Sequence, residues 1–297
     1  MKTILLIGKN GQVGWELQSA LAPLGRVVAL DRMQLDVTQP EGIRKTIREI
    51  SPDIIVNAAG YTTVDKAEDE RELAMLINAT APGIMAEEAR RINALLVHYS
   101  TDYVYDGTKG ARYVEDDAPR PLNFYGKSKL DGECAITATG CAHLILRASW
   151  IYSARGTNFV LTMLRLAQER KELFVVDDQV GSPTWARSLA FSSVDILSRL
   201  QNPLSASGIY HLSATGHTTR LEFANKIIEL ARLFSQPDIQ WAKINPTTTA
   251  GYPYPLAAAR PLFAATSKCK IKRVFSVEMA TWQKQIQLFI KSLTDLR

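Results

Sequence analysis

Short runs dominated by consecutive apolar residues alternate, along the first half of this chain, with stretches in which apolar residues recur every three or four positions. Lys2–Ile7 (Lys-Thr-Ile-Leu-Leu-Ile) is of the first kind, and Arg26–Leu30, Asp53–Ala58, Leu95–Ser100 and His143–Ser149 repeat it. Unbroken β-branched runs of this length read as strands buried on both faces. Trp15–Leu24, Pro40–Ile50 and Glu68–Ile92 carry helical periodicity between them. Strand and helix in alternation predict an α/β fold with a doubly wound parallel sheet. After Trp150 the pattern loosens: a helix over Asn158–Arg170, strands near Leu173–Val176 and Ile209–Leu212, a proline-rich stretch from Pro246 to Pro261 expected to lack regular structure, and a closing helix over Val277–Leu293.

The junction between first strand and first helix carries the first chemistry. It reads Gly8-Lys9-Asn10-Gly11-Gln12-Val13-Gly14. Strand, glycine turn and helix in that order suit a dinucleotide, because glycines let a pyrophosphate approach the backbone and the helix N-terminus offers free N–H groups and a positive dipole. The spacing is G-x-x-G-x-x-G rather than the commoner G-x-G-x-x-G, and taken alone it also fits an ordinary strand–helix loop. Asp31, at the end of the second strand, stands near the offset of about 20 residues expected for a ribose-binding acid. Asp31 favours NAD through the ribose 2′-hydroxyl, whereas Arg32 favours NADP through the 2′-phosphate, so NADPH and NADH both stay open. The expected organisation is a Rossmann-type region over 1–150 and a smaller, mainly substrate-binding C-terminal domain over 151–297, some segments of which return to the core.

Composition narrows the class. At 297 residues the chain exceeds one typical domain, and its 46% hydrophobic content is ordinary for a globular protein. No apolar stretch approaches the ~20 residues that span a bilayer, and no charged-then-apolar leader is read ahead of the first strand; no membrane partner is expected. Cys134, Cys141 and Cys269 form neither a paired nor a metal-ligand framework, which suits a reducing cytosol and predicts no metal site. Net charge is +5, but bases and acids are interleaved, which argues against a nucleic-acid groove and leaves room for a small anion.

Tyr125 and Lys129 stand four residues apart in Asn-Phe-Tyr-Gly-Lys-Ser-Lys. On a helix that spacing places both on one face, and a nearby ammonium is expected to lower the phenol's pKa from ~10 toward a useful range. The pair gains meaning from two other strand ends. Thr101 follows the Leu95–Ser100 strand, where its hydroxyl can bond a substrate carbonyl, and Asn57-Ala58-Ala59-Gly60 would flank a cofactor on the same edge. A glycine turn, an amide-bearing turn, a hydroxyl and a Tyr/Lys pair at one sheet edge are poorly explained by core packing.

Through Gly8-x-x-Gly11-x-x-Gly14, Asn57-Ala58-Ala59, Ser100-Thr101-Asp102-Tyr103-Val104-Tyr105 and Tyr125-x-x-x-Lys129 the chain resembles the extended short-chain dehydrogenase/reductase family. Within it, Gly11-Gln12-Val13-Gly14-Trp15-Glu16-Leu17, Val64-Asp65-Lys66-Ala67-Glu68, Pro121-Leu122-Asn123, Arg147-x-Ser149-Trp150-x-Tyr152, Asn158-Phe159 and Asp178-Gln179-x-Gly181-x-Pro183-Thr184 are most similar to the dTDP-4-dehydrorhamnose reductases, over nearly the whole length. The resemblance implies reduction of the 4-keto group of a dTDP-sugar by NADPH or NADH, the last step of dTDP-rhamnose formation for cell-surface polysaccharide. Thr101 would bond the carbonyl, Tyr125 would donate the proton, and Lys129 would hold the nicotinamide ribose and support Tyr125. Gly11, Gln12 and Val13 would meet the pyrophosphate, Asp31 the adenosine ribose, and Asp36 and Val37 the adenine. Gly60, Tyr61, Thr62 and Tyr99 would line the cofactor cleft. Thr62, Val64, Asp102 and Trp150 would border the sugar, although Trp150 fits a core aromatic as well.

Departures refine this. The acidic pair that follows the threonine in related dehydratases is absent, since Thr101 is followed by Asp102 and Tyr103. Another nucleotide-sugar 4-ketoreductase or a 4-epimerase uses the same trio, and a non-catalytic dinucleotide-binding regulatory subunit is the alternative of another class. The Arg-Pro-x-Asn-Ser-x-Leu of relatives is here Arg260-Pro261-Leu262-Phe263-Ala264-Ala265-Thr266, so Arg260 is kept for the diphosphate while Asn-Ser is lost. Some relatives dimerise through magnesium held by acids; here Trp185-Ala186-Arg187-Ser188 puts a base where an acid is expected, leaving Glu16 as an ordinary surface residue. A monomer or metal-free homodimer is the expectation.

Overall fold

The computed structural model describes residues 1–234, 239–254 and 256–294. Its first half runs β1 (Lys2–Ile7), α1 (Gln12–Ala20), β2 (Gly25–Leu30), α2 (Pro40–Ile50), β3 (Ile54–Asn57), α3 (Arg71–Met75), α4 (Ala81–Arg91), β4 (Leu95–Thr101), α5 (Phe124–Thr139) and β5 (His143–Ala148). The second half comprises β6 (Ile151–Tyr152), α6 (Phe159–Glu169), β7 (Glu172–Val176), β8 (Val180–Gly181), β9 (Thr184–Trp185), α7 (Ala186–Arg199), β10 (Gly208–His211), β11 (Thr218–Thr219), α8 (Arg220–Phe234), β12 (Lys243–Thr247), α9 (Cys269–Phe275) and α10 (Trp282–Thr294).

Six strands form one parallel sheet in the order β10-β5-β4-β3-β1-β2. Strand order therefore reverses between β1 and β3, which opens a crevice at the strand C-termini. The unbroken apolar runs are explained by burial on both sides. Ile4 and Leu6 pack with Leu17 of α1 and Leu189 of α7. Leu5 and Ile7, one residue out of phase, pack with Ile43 and Ile47 of α2 and Met85 of α4. A separate cluster joins Met163 of α6, Phe223 and Ile227 of α8, and Trp282 and Phe289 of α10. From the second half, β10 pairs with β5 at the sheet edge and α7 packs beside α1.

Four elements differ from the sequence expectation. The first helix begins at Gln12, so Gln12, Val13 and Gly14 form its first turn, and it ends at Ala20, with a separate 3₁₀ turn over Ala22–Leu24. The Glu68–Ile92 helix is divided: a 3₁₀ turn at Lys66–Glu68, then α3, a π-helical turn at Leu76–Thr80, and α4. Pro246 and Thr247 extend β12, which among the described residues pairs only with β7 in a two-stranded sheet, and an edge strand tolerates a residue without N–H. Of that stretch, Pro255 lies outside the described residues. The closing helix begins at Trp282 because Val277 and Met279 are drawn into the cluster under the sheet.

Candidate active site

A cleft of about 930 Å3 occupies the switch-point crevice. Gly11, Gln12, Val13, Ala58, Gly60 and Tyr99 line it together with Thr62, Val64, Asp102, Trp150 and Arg260, and so do Thr101, Tyr125 and Lys129. Seven expected residues do not line it. Gly8 and Gly14 instead build the turn: Gly8 has φ +88° and lies against the Ala58–Ala59 backbone, and a Cβ on Gly14 would fall 2.1 Å from the Gly8 carbonyl oxygen. Asp31 stands at the rim of the turn, accepting from Asn10 Nδ2 at 3.3 Å with Lys9 Nζ 3.4 Å away. Arg32 is exposed beyond it. Asp36 accepts from the Thr38 N–H and hydroxyl at 3.0 and 2.8 Å, and Val37 packs against the α2 side of the core. Tyr61 turns its hydroxyl to Glu70, 2.9 Å away, and burial with that carboxylate pushes the phenol up to about 12.

The turn fits a dinucleotide. Gly11, the residue before α1, makes no side-chain cap, so the N–H groups of the first turn meet the cleft without a competing acceptor. Gln12 is anchored from the second half of the chain, its Oε1 accepting from Ser153 Oγ and Asn158 Nδ2, both at 3.2 Å. Opposite, Asn78 in the π turn fixes the Gly60–Tyr61 segment, accepting from Tyr61 N at 2.9 Å and donating to Tyr61 O at 3.0 Å and Ser128 Oγ at 2.9 Å. Nothing in the helical periodicity marked Asn78, because a π turn shifts which side chains face inward.

Tyr125 and Lys129 both lie on α5, which Asn123 caps by accepting from Gly126 N at 2.8 Å. Thr101 ends β4 almost fully buried, its hydroxyl beside the Tyr125 phenol. The expected electrostatic help from Lys129 is not present in this arrangement. Lys129 Nζ turns inward, donates to the Tyr99 carbonyl at 2.6 Å and lies 3.1 Å from His98 Nε2. Burial instead pushes the Tyr125 phenol above its usual value, with the Thr101 hydroxyl opposing. Burial also takes the Lys129 ammonium down to about 8, with Glu133 opposing.

The sugar side is more cationic than expected. Trp150, in a left-handed conformation at φ +44°, faces the cleft instead of the core. Arg220, not marked by any motif, stacks on its indole at 3.7 Å and also lines the cleft. Arg260 pairs with Asp65 through two contacts of 2.6 and 2.5 Å. Both guanidiniums lie beside the Tyr103 phenol. Asp102 accepts from Ser149 Oγ at 2.6 Å and Thr101 Oγ1 at 3.3 Å, and burial pushes its carboxyl up to about 6. On α1, one turn beyond Gln12, Glu16 is more enclosed than the ordinary surface residue expected: its side chain is 11% exposed and paired with Arg187 Nε at 2.9 Å.

The chain is similar to known proteins over almost all its length. It is 45% identical over 294 residues to a dTDP-4-dehydrorhamnose reductase of Escherichia coli K12, covering 98% of this chain and 97% of that one. It is 42% identical to the enzyme of the same name from Burkholderia thailandensis, covering 98% of each. A crystal structure of dTDP-4-dehydrorhamnose reductase from Bacillus anthracis in complex with NADP superposes with a TM-score of 0.89 at 35% identity, over 98% of this chain and 99% of that one. The family model described as RmlD substrate binding domain matches residues 1–295. By that match and these identities, the chain belongs to the RmlD substrate binding domain family.

Proposed function

We propose that this protein is an NAD(P)H-dependent oxidoreductase that reduces the 4-keto group of dTDP-4-dehydro-L-rhamnose. The observation that carries the reading is the convergence of Thr101, Tyr125 and Lys129 in one cleft, between an uncapped glycine-turn helix and a Trp150–Arg220 wall. A bound reduced nicotinamide supplies hydride. Thr101 and Tyr125 present two hydroxyls to the carbonyl oxygen, and Tyr125 gives up the proton as negative charge develops there. A phenol held high by burial starts protonated, as a donor must. Lys129 holds the nicotinamide ribose, and Asp31 takes the adenosine ribose, with Asp36 and Val37 toward the adenine. Arg220 and Arg260 meet the diphosphate, while Thr62, Val64, Asp102 and Trp150 border the sugar.

Residues 1–150 serve the dinucleotide and 151–297 mainly the sugar nucleotide. The names of the relatives and the NADP-bound neighbour support the substrate and cofactor class. Among the described residues no helix is long and apolar enough to cross a membrane. As a separate part of the proposal, the enzyme is read as cytoplasmic and as a monomer or metal-free dimer. Mixing the protein with the keto-sugar nucleotide and NADPH or NADH should consume reduced nicotinamide. No consumption with either would refute the proposal. Tyr125→Phe should lower turnover roughly 10²–10⁴-fold while dinucleotide binding persists.

A further inference from the structure

Beneath Lys129 lies a buried chain of hydrogen bonds whose polarity is fixed at its far end. Asn57, His98 and Lys129 are 1%, 0% and 5% exposed. The backbone N–H of Ala59 donates to Asn57 Oδ1 at 3.1 Å, so the amide must turn its NH₂ the other way. That NH₂ faces His98 Nδ1 at 3.0 Å and can only donate. Nδ1 is then the acceptor, and the proton of a neutral imidazole sits on Nε2. Nε2–H points at Lys129 Nζ, 3.1 Å away. An ammonium there would set donor against donor. Turning Asn57 to relieve the conflict would set its NH₂ against the Ala59 N–H instead.

We propose that Asn57 and His98 bias Lys129 toward the uncharged amine in the dinucleotide-free protein, and that docking of the dinucleotide, on the reading above, releases Nζ to the ribose and raises its protonation with a proton taken from solvent. His98 is then a positioning residue that acts through Lys129. The remaining groups around Lys129 do not reverse this. On its own helix Tyr125 is protonated, and Glu133 is engaged by Arg147 of β5 and Ser100 of β4. From β4, the Tyr99 carbonyl accepts equally from an amine or an ammonium. Burial acts in the same direction, holding the Lys129 ammonium down to about 8 and the His98 imidazolium well below its ordinary value.

Two measurements test it. In the free, 15N-labelled protein the chain's 4 histidines give resolvable ring signals, with His98 assigned through its contacts to Asn57 and Lys129. A proton on Nε2 and none on Nδ1 is expected; an Nδ1–H tautomer or an imidazolium overturns the proposal. Calorimetric titration with NADH at pH 8, in phosphate and in Tris, reads the protons exchanged. With Lys129 near 8 when free and back toward ~10.4 once paired, uptake of about half a proton per NADH is expected, and Lys129→Met should abolish it. Equal heats in the two buffers while NADH binds, or uptake that survives Lys129→Met, overturn the proposal. Failure of both NADH and NADPH to bind sinks the reductase reading instead, and the tautomer alone then decides this one.

Discussion

Arg147→Met is the perturbation with the largest expected effect on stability. Arg147 of β5 and Glu133 of α5 are each 2% exposed at the side chain. Arg147 Nε and Nη2 donate to the two carboxylate oxygens at 2.9 and 2.5 Å, and Nη1 donates to Tyr105 Oη at 2.6 Å. With a methionine in place, the Glu133 carboxylate keeps, among the described residues, only the Ser100 Oγ hydrogen bond at 2.5 Å. Stranding one member of a buried pair costs about 3–5 kcal/mol, a large part of the roughly 5–15 kcal/mol that holds a protein folded. Urea unfolding followed by circular dichroism should show that loss. The double replacement Glu133→Leu, Arg147→Met should recover most of it, because no charge is then buried alone. A loss below about 1 kcal/mol, or a double variant as unstable as the single one, would refute the reasoning. Since Ser100 immediately precedes Thr101 and Glu133 lies one turn beyond Lys129, the single variant should also lose more turnover than dinucleotide affinity.

Two further outcomes follow from the sugar side of the cleft. Asp102 is raised from 3.8 to about 6 by burial, so its favoured folded form is the neutral acid, and its contribution is complete below pH 3.8 and lost as pH rises through 6. Asp102→Asn should therefore be stabilised relative to the parent by an amount that grows by on the order of 2–3 kcal/mol between pH 4 and 7; parallel stability curves in urea would contradict it. Gly181→Ala would put a Cβ 2.3 Å from Trp150 Cε2, forcing the indole away and breaking its stack with Arg220. With up to ~2 kcal/mol in such a stack, KM for the sugar nucleotide should rise roughly tenfold while NADPH affinity holds, and an unchanged KM would remove Trp150 from the sugar side.

How much of this was legible beforehand depends on how local each signal is. The runs Lys2–Ile7 and His143–Ser149 declare a parallel sheet because both faces of each strand are covered, and that leaves its mark within six or seven residues. The glycine turn and the Tyr125/Lys129 spacing are likewise local, since backbone approach and the pitch of a helix fix them without reference to the rest of the chain. The Glu68–Ile92 stretch reads as one helix in the sequence because a π turn keeps nearly the same apolar rhythm while turning Asn78 onto the cofactor loop.

Tertiary structure alone decided the charges. That Lys129 turns away from Tyr125 depends on His98 and Tyr99, about thirty residues distant along the chain, and that His98 turns its proton to Lys129 depends on the Ala59 N–H just beyond the neighbouring strand β3. Arg220 carried no motif, and its role follows from meeting Trp150 and Tyr103 across the cleft. Glu16 reads as an ordinary surface residue in the sequence, and only the packing of α7 on α1 brings Arg187 against it. The sequence determined which strands and turns form and which reactive groups stand at their ends, because those properties arise from neighbours in the chain. Protonation and charge pairing are set by desolvation and by partners brought together only when the sheet and the C-terminal elements close on one another.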